Sequence, residues 1–416
     1  MRVYLDNAAT TALRPEALAA MQPLLGPDFA NPSSPHSSGQ RVRRLLDEAR
    51  ERTAAALGAR PAEIIFTGSG SESDCLAIFG ILDAHGRGGR GRFITSTTEH
   101  HAVLHAADAL RDRGHPVTIV PVDSEGFVDE AALAAALRET RAQERGTASA
   151  GITSAGTTLV SIMHANNEIG TIQRIARLSA IAREHGALFH TDAVQTVGHI
   201  PIDVAELGVD ALTFSAHKFE GPKGVAALYL RSDVRATPLV YGGGQEGGHR
   251  AGTENVAGIV GLSVALELAT RDIVEQATAT AALRDRFIEG VLSAVPASAL
   301  NGSRRERLPN NASLRFAHIE GQTVVLALDI AGFEVSTGSA CTSGSLEPSH
   351  VLTAIGLDAE AARGTVRFSL GRTTVASDIA RLSEHLPGTI EKLRALTGAL
   401  VVGGGPTQVR ERSGSP

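Results

Sequence analysis

Cysteine is nearly missing: Cys75 and Cys341 are the only two in 416 residues. Two cysteines cannot build a disulfide framework, so the fold has to be held by its buried core. A basic excess is also lacking. The net charge of −6, with no basic stripe, excludes the electrostatic footprint of a nucleic-acid binder. Long apolar runs are absent too: A-G-I-V-G-L-S-V-A-L-E-L-A is interrupted by Glu267 and is too short to cross a bilayer. The first residues, M-R-V-Y-L-D-N-A-A-T, place Asp6 where a secretion signal needs apolar side chains. These absences predict a cytoplasmic protein with no membrane and no nucleic-acid partner, in a compartment that keeps thiols reduced.

Lysine is scarce as well. Of 39 Lys and Arg residues only Lys218, Lys223 and Lys392 are lysine. A chain that prefers Arg this strongly keeps a Lys for a reason, since Lys can lose its proton or form an imine and Arg cannot. The second oddity is T-G-S-A-C-T-S-G-S-L-E-P, residues 337–348, which surrounds Cys341 with Gly, Ser and Thr. A free cysteine is usually a small core residue, and this one has no apolar neighbours to bury it. A thiol there is open to chemistry. Cys75, on a helical pattern beside L-A-I-F, reads as core.

What is present is an α/β alternation. Short apolar runs at 63–66, 92–95, 117–122, 158–163, 187–191, 210–215 and 225–230 are separated by amphipathic stretches such as Ala131–Arg138 and Ile175–His185. The pattern predicts a mostly parallel central sheet with helices on both faces. Beyond Y-G-G-G-Q-E-G-G-H-R-A-G-T the chain turns helical over 255–294, then mixed, with strands near 313–316 and 366–370. The expected division is a large domain over 15–260 and a smaller α+β domain from 1–14 and 261–400. Residues 141–157 read as a mobile surface insertion and 401–416 as a disordered tail.

Lys218 sits in F-S-A-H-K-F-E-G-P-K-G, a turn-rich segment after a predicted strand. A surface lysine is the commonest fate of this residue, and Lys223 is left with that reading. Upstream, F-H-T-D-A-V-Q ends the preceding strand with Asp192 and Gln195. An imine-forming cofactor such as pyridoxal phosphate needs a Lys for its aldehyde and an acid facing its pyridine nitrogen. Consecutive parallel strands bring both to one sheet edge, where α/β folds bind ligands. An Asp at a strand end also serves as a turn or helix cap, so the pairing has moderate specificity. E-I-I-F-T-G-S-G-S-E-S-D-C is strand, Gly/Ser turn and helix start, able to hold a phosphate on backbone N–H groups or simply to cap the helix. Glu72 and Asp74 there suit the helix dipole and are expected to point away from any phosphate. His101 and His105, spaced i, i+4 in T-E-H-H-A-V-L-H, lack the further ligands a metal needs. His100 is the candidate for stacking on a flat ring.

Together these stretches resemble the cysteine desulfurases of the class V aminotransferase superfamily, in the group whose cysteine loop reads S-G-S-A-C-T-S. The resemblance rests on Y-L-D-N-A-A-T-T, N-P-S-S-P-H, S-E-S-D, T-E-H-H-A-V-L, M-H-A-N-N-E-I-G-T-I-Q, H-T-D-A-V-Q-T-V-G, S-A-H-K-F-E-G-P-K-G, G-G-G-Q-E-G-G-H-R-A-G-T-E-N, G-S-A-C-T-S-G-S-L-E-P-S-H-V-L and V-R-F-S-L-G-R, in family order. It implies a pyridoxal-phosphate enzyme of fold type I that converts L-cysteine to L-alanine. Lys218 would carry the cofactor and move the substrate Cα proton. Asp192 would hold the pyridine nitrogen protonated, Gln195 the ring oxygen, and His100 would stack on the ring and assist proton transfer. Gly70, Ser71, Ser215 and His217 would cradle the phosphate, with Thr253 arriving from the other subunit of a homodimer. Asn167 and Arg367 would grip the substrate carboxylate. Cys341 would take the sulfur as a persulfide and pass it to an iron–sulfur scaffold, a tRNA-thiolation enzyme or a sulfur carrier.

The chain departs from the family at Ala30 and Ala216, where Gly is frequent, and at Cys75, where Asn is usual. Its last residues do not resemble the ending that some members use to dock an iron–sulfur scaffold. A selenocysteine lyase or another class V enzyme shares Lys218 and Asp192 but differs at the cysteine loop. An inactive relay protein has no need of Lys218, Asp192, His100 and Cys341 together.

Overall fold

The structure, a computed structural model, describes residues 2–85, 91–149, 157–338 and 348–403. The chain opens on β1 (Val3–Tyr4), then α1 (Pro15–Met21) and α2 (Ser37–Ala55). The central sheet contains β2 (Ile64–Thr67), β3 (Arg92–Ser96), β4 (Val117–Val120), β5 (Thr158–Ser161), β6 (Leu188–Asp192), β7 (Ala211–Ser215) and β8 (Ala226–Leu230). Its order is β2-β8-β7-β6-β5-β3-β4. Every pairing from β4 through β7 is parallel, and β8 runs against both its neighbours.

Connecting these strands are α3 (Gly70–Cys75), which passes through a π-helical turn (Leu76–Gly80) into α4 (Ile81–His85), then α5 (His101–Asp112), α6 (Glu130–Ser149), α7 (Ile175–Glu184) and α8 (Val204–Leu207). The strands read as apolar runs because both sheet faces are covered. Val160, Phe189, Leu212 and Phe214 join the cluster that holds Leu46 of α2 and Leu178 of α7. Leu159, Ala211, Leu228 and Leu230 face the opposite way, onto Ile81, Val103 and Leu110. Alternation along each strand thus builds two cores from one sheet.

After the glycine-rich segment come α9 (Val256–Thr270) and α10 (Ile273–Ala294). Gly261 of α9 sits so close to α1 that an added Cβ would lie 2.6 Å from the Met21 sulfur. The second unit then forms around β9 (Ser298–Leu300), β10 (Asn311–Phe316), α11 (Gly321–Ile330), β11 (Phe333–Glu334), α12 (His350–Ala354), α13 (Ala359–Arg363), β12 (Thr365–Ser369) and α14 (Ala376–Gly403). Its separate core holds Leu5, Phe287, Leu314, Phe316, Phe368 and Leu382. The β1 strand pairs with β11, so the first residues belong here by contact.

Residue 260 falls inside α9, whose Ile259, Leu262 and Leu266 are buried in the core of the large sheet. Helix α9 thus packs with the large sheet, while Phe287, Ile288 and Val291 of α10 belong to the second core. The stretch expected to be an insertion continues α6 as helix through Ser149, because Arg, Gln, Glu and Ala propagate a helix once it has begun. Residues 150–156 of that stretch, and 404–416 of the expected tail, lie outside the described residues.

Within the glycine-rich segment one carboxylate gathers three hydrogen bonds. Glu246, at φ +48, accepts two N–H bonds from Arg50 of α2 at 2.8 and 2.7 Å and one from the Phe66 amide at 2.8 Å. Removing one partner of a buried pair strands the other. Glu246→Ala is expected to lower stability by about 3 kcal/mol in denaturant unfolding of the cofactor-free protein. A loss below about 1 kcal/mol, the range of an exposed pair, would show that Arg50 does not depend on it.

Candidate active site

The C-terminal edges of β6 and β7 open into a cavity of about 540 Å³, within the range of small-ligand sites. Asp192 is the last residue of β6, and Thr213 of β7 lies directly beside it in register. Two residues past Thr213, Ser215 ends β7. The chain then makes a short 3₁₀ turn, Ala216–Lys218, before returning as β8. That turn sets His217 and Lys218 on the cavity wall with Asp192 and Ser215. Ala216 is fully buried in the turn, and Gly221 leaves the room for it, since a Cβ there would lie 2.7 Å from that of Ala216.

Lys218 is held from the N-terminal side. Its Nζ donates to the backbone carbonyls of Ala8 at 2.7 Å and Ala9 at 2.8 Å. Gln195 Nε2 also donates to Ala8 O, at 3.0 Å, and His217 Nδ1 meets the Thr10 hydroxyl at 3.1 Å. The D-N-A-A-T-T stretch therefore wraps the lysine turn. Asp192 is only 5% exposed and accepts the Val194 N–H at 2.9 Å. Burial pushes its carboxyl above the usual range, while His100, that amide and Lys218 pull it back. Burial together with Lys218 and Lys223 lowers His217 to about 4, so its ring is neutral at pH 7.

The rest of the lining comes from α3 and the second unit. Gly70 starts α3, and Ser69 caps it by accepting the Glu72 N–H. A Cβ on Gly70 would approach Val194 Cγ2 to 3.1 Å and Ser215 Cβ to 3.7 Å, so its missing side chain keeps the cavity floor open. Glu72 turns away, accepting from the Gly68 amide at 2.8 Å and from Arg250 Nε at 2.9 Å. Arg367 of β12 is nearly fully buried. Its Nη2 donates to Asp6 Oδ1 at 2.7 Å, and its Nη1 to the Asn167 carbonyl at 2.8 Å.

Gly70, Ser71, His100, Asn167, Asp192, Gln195, Ser215, His217, Lys218 and Arg367 all line this one cavity. Thr253 does not: it is exposed, on the segment anchored by Glu246 and Arg250. Cys341 lies outside the described residues, which resume at Pro348. His101 stacks obliquely against His105 and His350, with ring centroids 5.3 and 4.8 Å apart, and no metal-holding group is present among the described residues.

The sequence reading overlooked several residues. Asp74 does not point outward as a helix-start acid: it lines the cavity, 1% exposed, its Oδ1 without a hydrogen bond among the described residues and 3.7 Å from His190 Nε2. Burial and neighbouring Asp192 drive its carboxyl well up. Lys223 is exposed, as read from the sequence, and also borders the cavity. Glu99, fully buried, accepts the Ser96 hydroxyl at 2.5 Å and the Met163 amide at 2.9 Å, joining the start of α5 to the loop after β5. The available signal was position: each lies within two residues of a small turn or a candidate already singled out.

A family model described as aminotransferase class-V matches residues 3–382. A cysteine desulfurase named IscS, from Dictyoglomus turgidum, is 51% identical over 395 residues, which is 95% of this chain and 96% of its own. The chain belongs to the cysteine desulfurases of the class-V aminotransferase family. Among solved structures, a NifS-like protein superposes with a TM-score of 0.84 at 35% identity, covering 94% of this chain and 100% of its own. A protein described as SspA in complex with cysteine gives 0.76 at 35% identity, covering 90% and 100%.

Members of this family depend on pyridoxal phosphate, and the cavity residues fit that group. An amine and a buried carboxylate face one space, with hydroxyls, a helix start and a glycine-cleared floor at one end. The orphaned Asp74 oxygen and the proton-hungry Asp192 both call for a cationic or N–H-bearing neighbour.

Burial also raises Glu99 to about 8 from an ordinary 4.5. The folded state therefore prefers the protonated acid. This contribution to stability is complete below about pH 4.5 and is lost as pH rises to about 8. Thermal unfolding of the wild type is expected to weaken across that window by up to about 1.4 kcal/mol per pH unit, and Glu99→Gln to flatten the slope. Identical slopes in the two proteins would remove Glu99 from the account.

Proposed function

We propose that this protein is a pyridoxal-phosphate-dependent cysteine desulfurase, converting L-cysteine to L-alanine and transferring the sulfur to Cys341. The observation carrying this reading is the juxtaposition of Lys218, Asp192 and Arg367 on one cavity wall system, in a chain whose relatives are cysteine desulfurases. When bound, pyridoxal phosphate supplies an electron sink conjugated to the substrate Cα. Lys218 Nζ would anchor it, and Asp192 would keep a proton on its pyridine nitrogen. Gln195 still has an N–H to offer the ring oxygen after its bond to Ala8. Gly70, Ser71, Ser215 and His217 would take the phosphate, with Thr253 of the partner subunit completing the cradle in a homodimer.

The substrate end follows from charge. Arg367 and Asn167 would orient the carboxylate of L-cysteine, a task suited to a forked guanidinium. Lys218 Nζ would then take the Cα proton, since it is the amine already directed into the cavity. The Cys341 thiolate would attack the substrate sulfur. An S–S bond forms, the C–S bond breaks, and proton return to carbon yields L-alanine with a persulfide on Cys341. The sulfur would pass to an acceptor serving iron–sulfur cluster assembly or tRNA thiolation in the cytoplasm.

Purified protein is expected to be yellow and to release sulfide from L-cysteine in the presence of a reductant. Lys218→Ala should be colourless, and Cys341→Ser should stay yellow while losing sulfide release. Equal turnover by Cys341→Ser would shift the assignment to a lyase that does not use this thiol. A colourless wild type with no activity would overturn the reading.

A further inference from the structure

His100 has two jobs, and one of them restricts the other. It is the N-cap of α5, with φ −64 and ψ 150, and its Nδ1 accepts the Ala102 N–H at 3.2 Å. A nitrogen that accepts a hydrogen bond carries no hydrogen, so a neutral ring must hold its proton on Nε2. Protonating Nδ1 would set two donors face to face and uncap the helix. It would also place a cation at the positive end of the helix dipole. The neighbours act in the same direction on balance: burial, Lys218, His101 and His350 oppose a charged ring, and Asp192 alone favours it.

We propose that His100 is a fixed-tautomer hydrogen-bond donor, presenting Nε2–H to the cavity, and that it does not collect the proton removed from substrate. Helix α5 sets this tautomer by using up Nδ1. The Cα proton therefore goes to Lys218 Nζ. His100 orients and polarises whatever lies against it, as a neutral imidazole does when a helix start keeps it from charging. The tautomer itself follows from the cap alone; only its catalytic consequence rests on the desulfurase reading.

The test uses cofactor-loaded protein labelled with ¹⁵N-histidine, with the His100 signals identified by difference from His100→Gln. Between about pH 6 and 8, where free histidine titrates, His100 should show an unprotonated Nδ1 and a protonated Nε2. A hydrogen on Nδ1, in either the other tautomer or the imidazolium, overturns the proposal. If His100→Gln does not fold, neutron diffraction from the wild type reads the same hydrogen. In sulfide release, His100→Gln offers an N–H but cannot titrate. It should lose less than about a hundredfold in kcat and keep both limbs of the wild-type pH profile. A larger loss, or a vanished limb, means that His100 is a proton acceptor. Absence of sulfide release in the wild type would sink the functional reading while leaving the nitrogen measurement decisive for the tautomer.

Discussion

A carboxylate kept from water at the end of a central parallel strand sets the terms for its surroundings. Moving such a charge out of solvent costs several kcal/mol unless neighbours compensate. Asp192 has the Val194 amide and the nearby Lys218 ammonium to favour its charge, and these do not fully offset burial. Asp74 beside it faces the same cost without an equivalent set of partners, and two adjacent buried acids do not both ionise. The space between them and Lys218 thus favours a molecule that brings positive charge or an N–H donor to Asp192.

The cavity is also a joint product of two cores. Lys218 and Asp192 hang from the large sheet, while Arg367 reaches in from β12 of the second unit, held against Asp6. The chain's first residues link the two. They pair with β11 through β1, then run under the lysine turn, where the Ala8 and Ala9 carbonyls receive the ammonium. A shift of the second unit against the sheet would therefore move the Arg367 guanidinium relative to Lys218.

Much of the sheet was legible because its strands are buried on both faces and announce themselves as apolar runs between amphipathic stretches. Lys218 stood out for a compositional reason, as one of very few lysines in an Arg-rich chain. The domain division was harder to see. Helix α9 is apolar all round, so its pattern says that it is buried but not in which core. Asp74 reads as a helix-start acid and Glu99 and Asp6 were overlooked, because a charged side chain near a turn reads as solvated; only long-range packing reveals that Asp74 lines the cavity, that Glu99 accepts the Met163 amide and that Asp6 holds Arg367. His100 was picked out as a ring-stacking residue, but its capping bond depends on where α5 begins, and helix boundaries are the least certain feature of a sequence pattern.

The central claim is that one particular amine, Lys218 in the cavity shared with Asp192, carries the cofactor. Borohydride reduction of the pyridoxal-phosphate-loaded protein, followed by peptide mapping, tests it directly. A pyridoxyl-phosphate mass on the peptide bearing Lys218, at that residue alone, is the predicted result. The same mass on Lys223, which lines the same cavity, or no adduct at all, would contradict it.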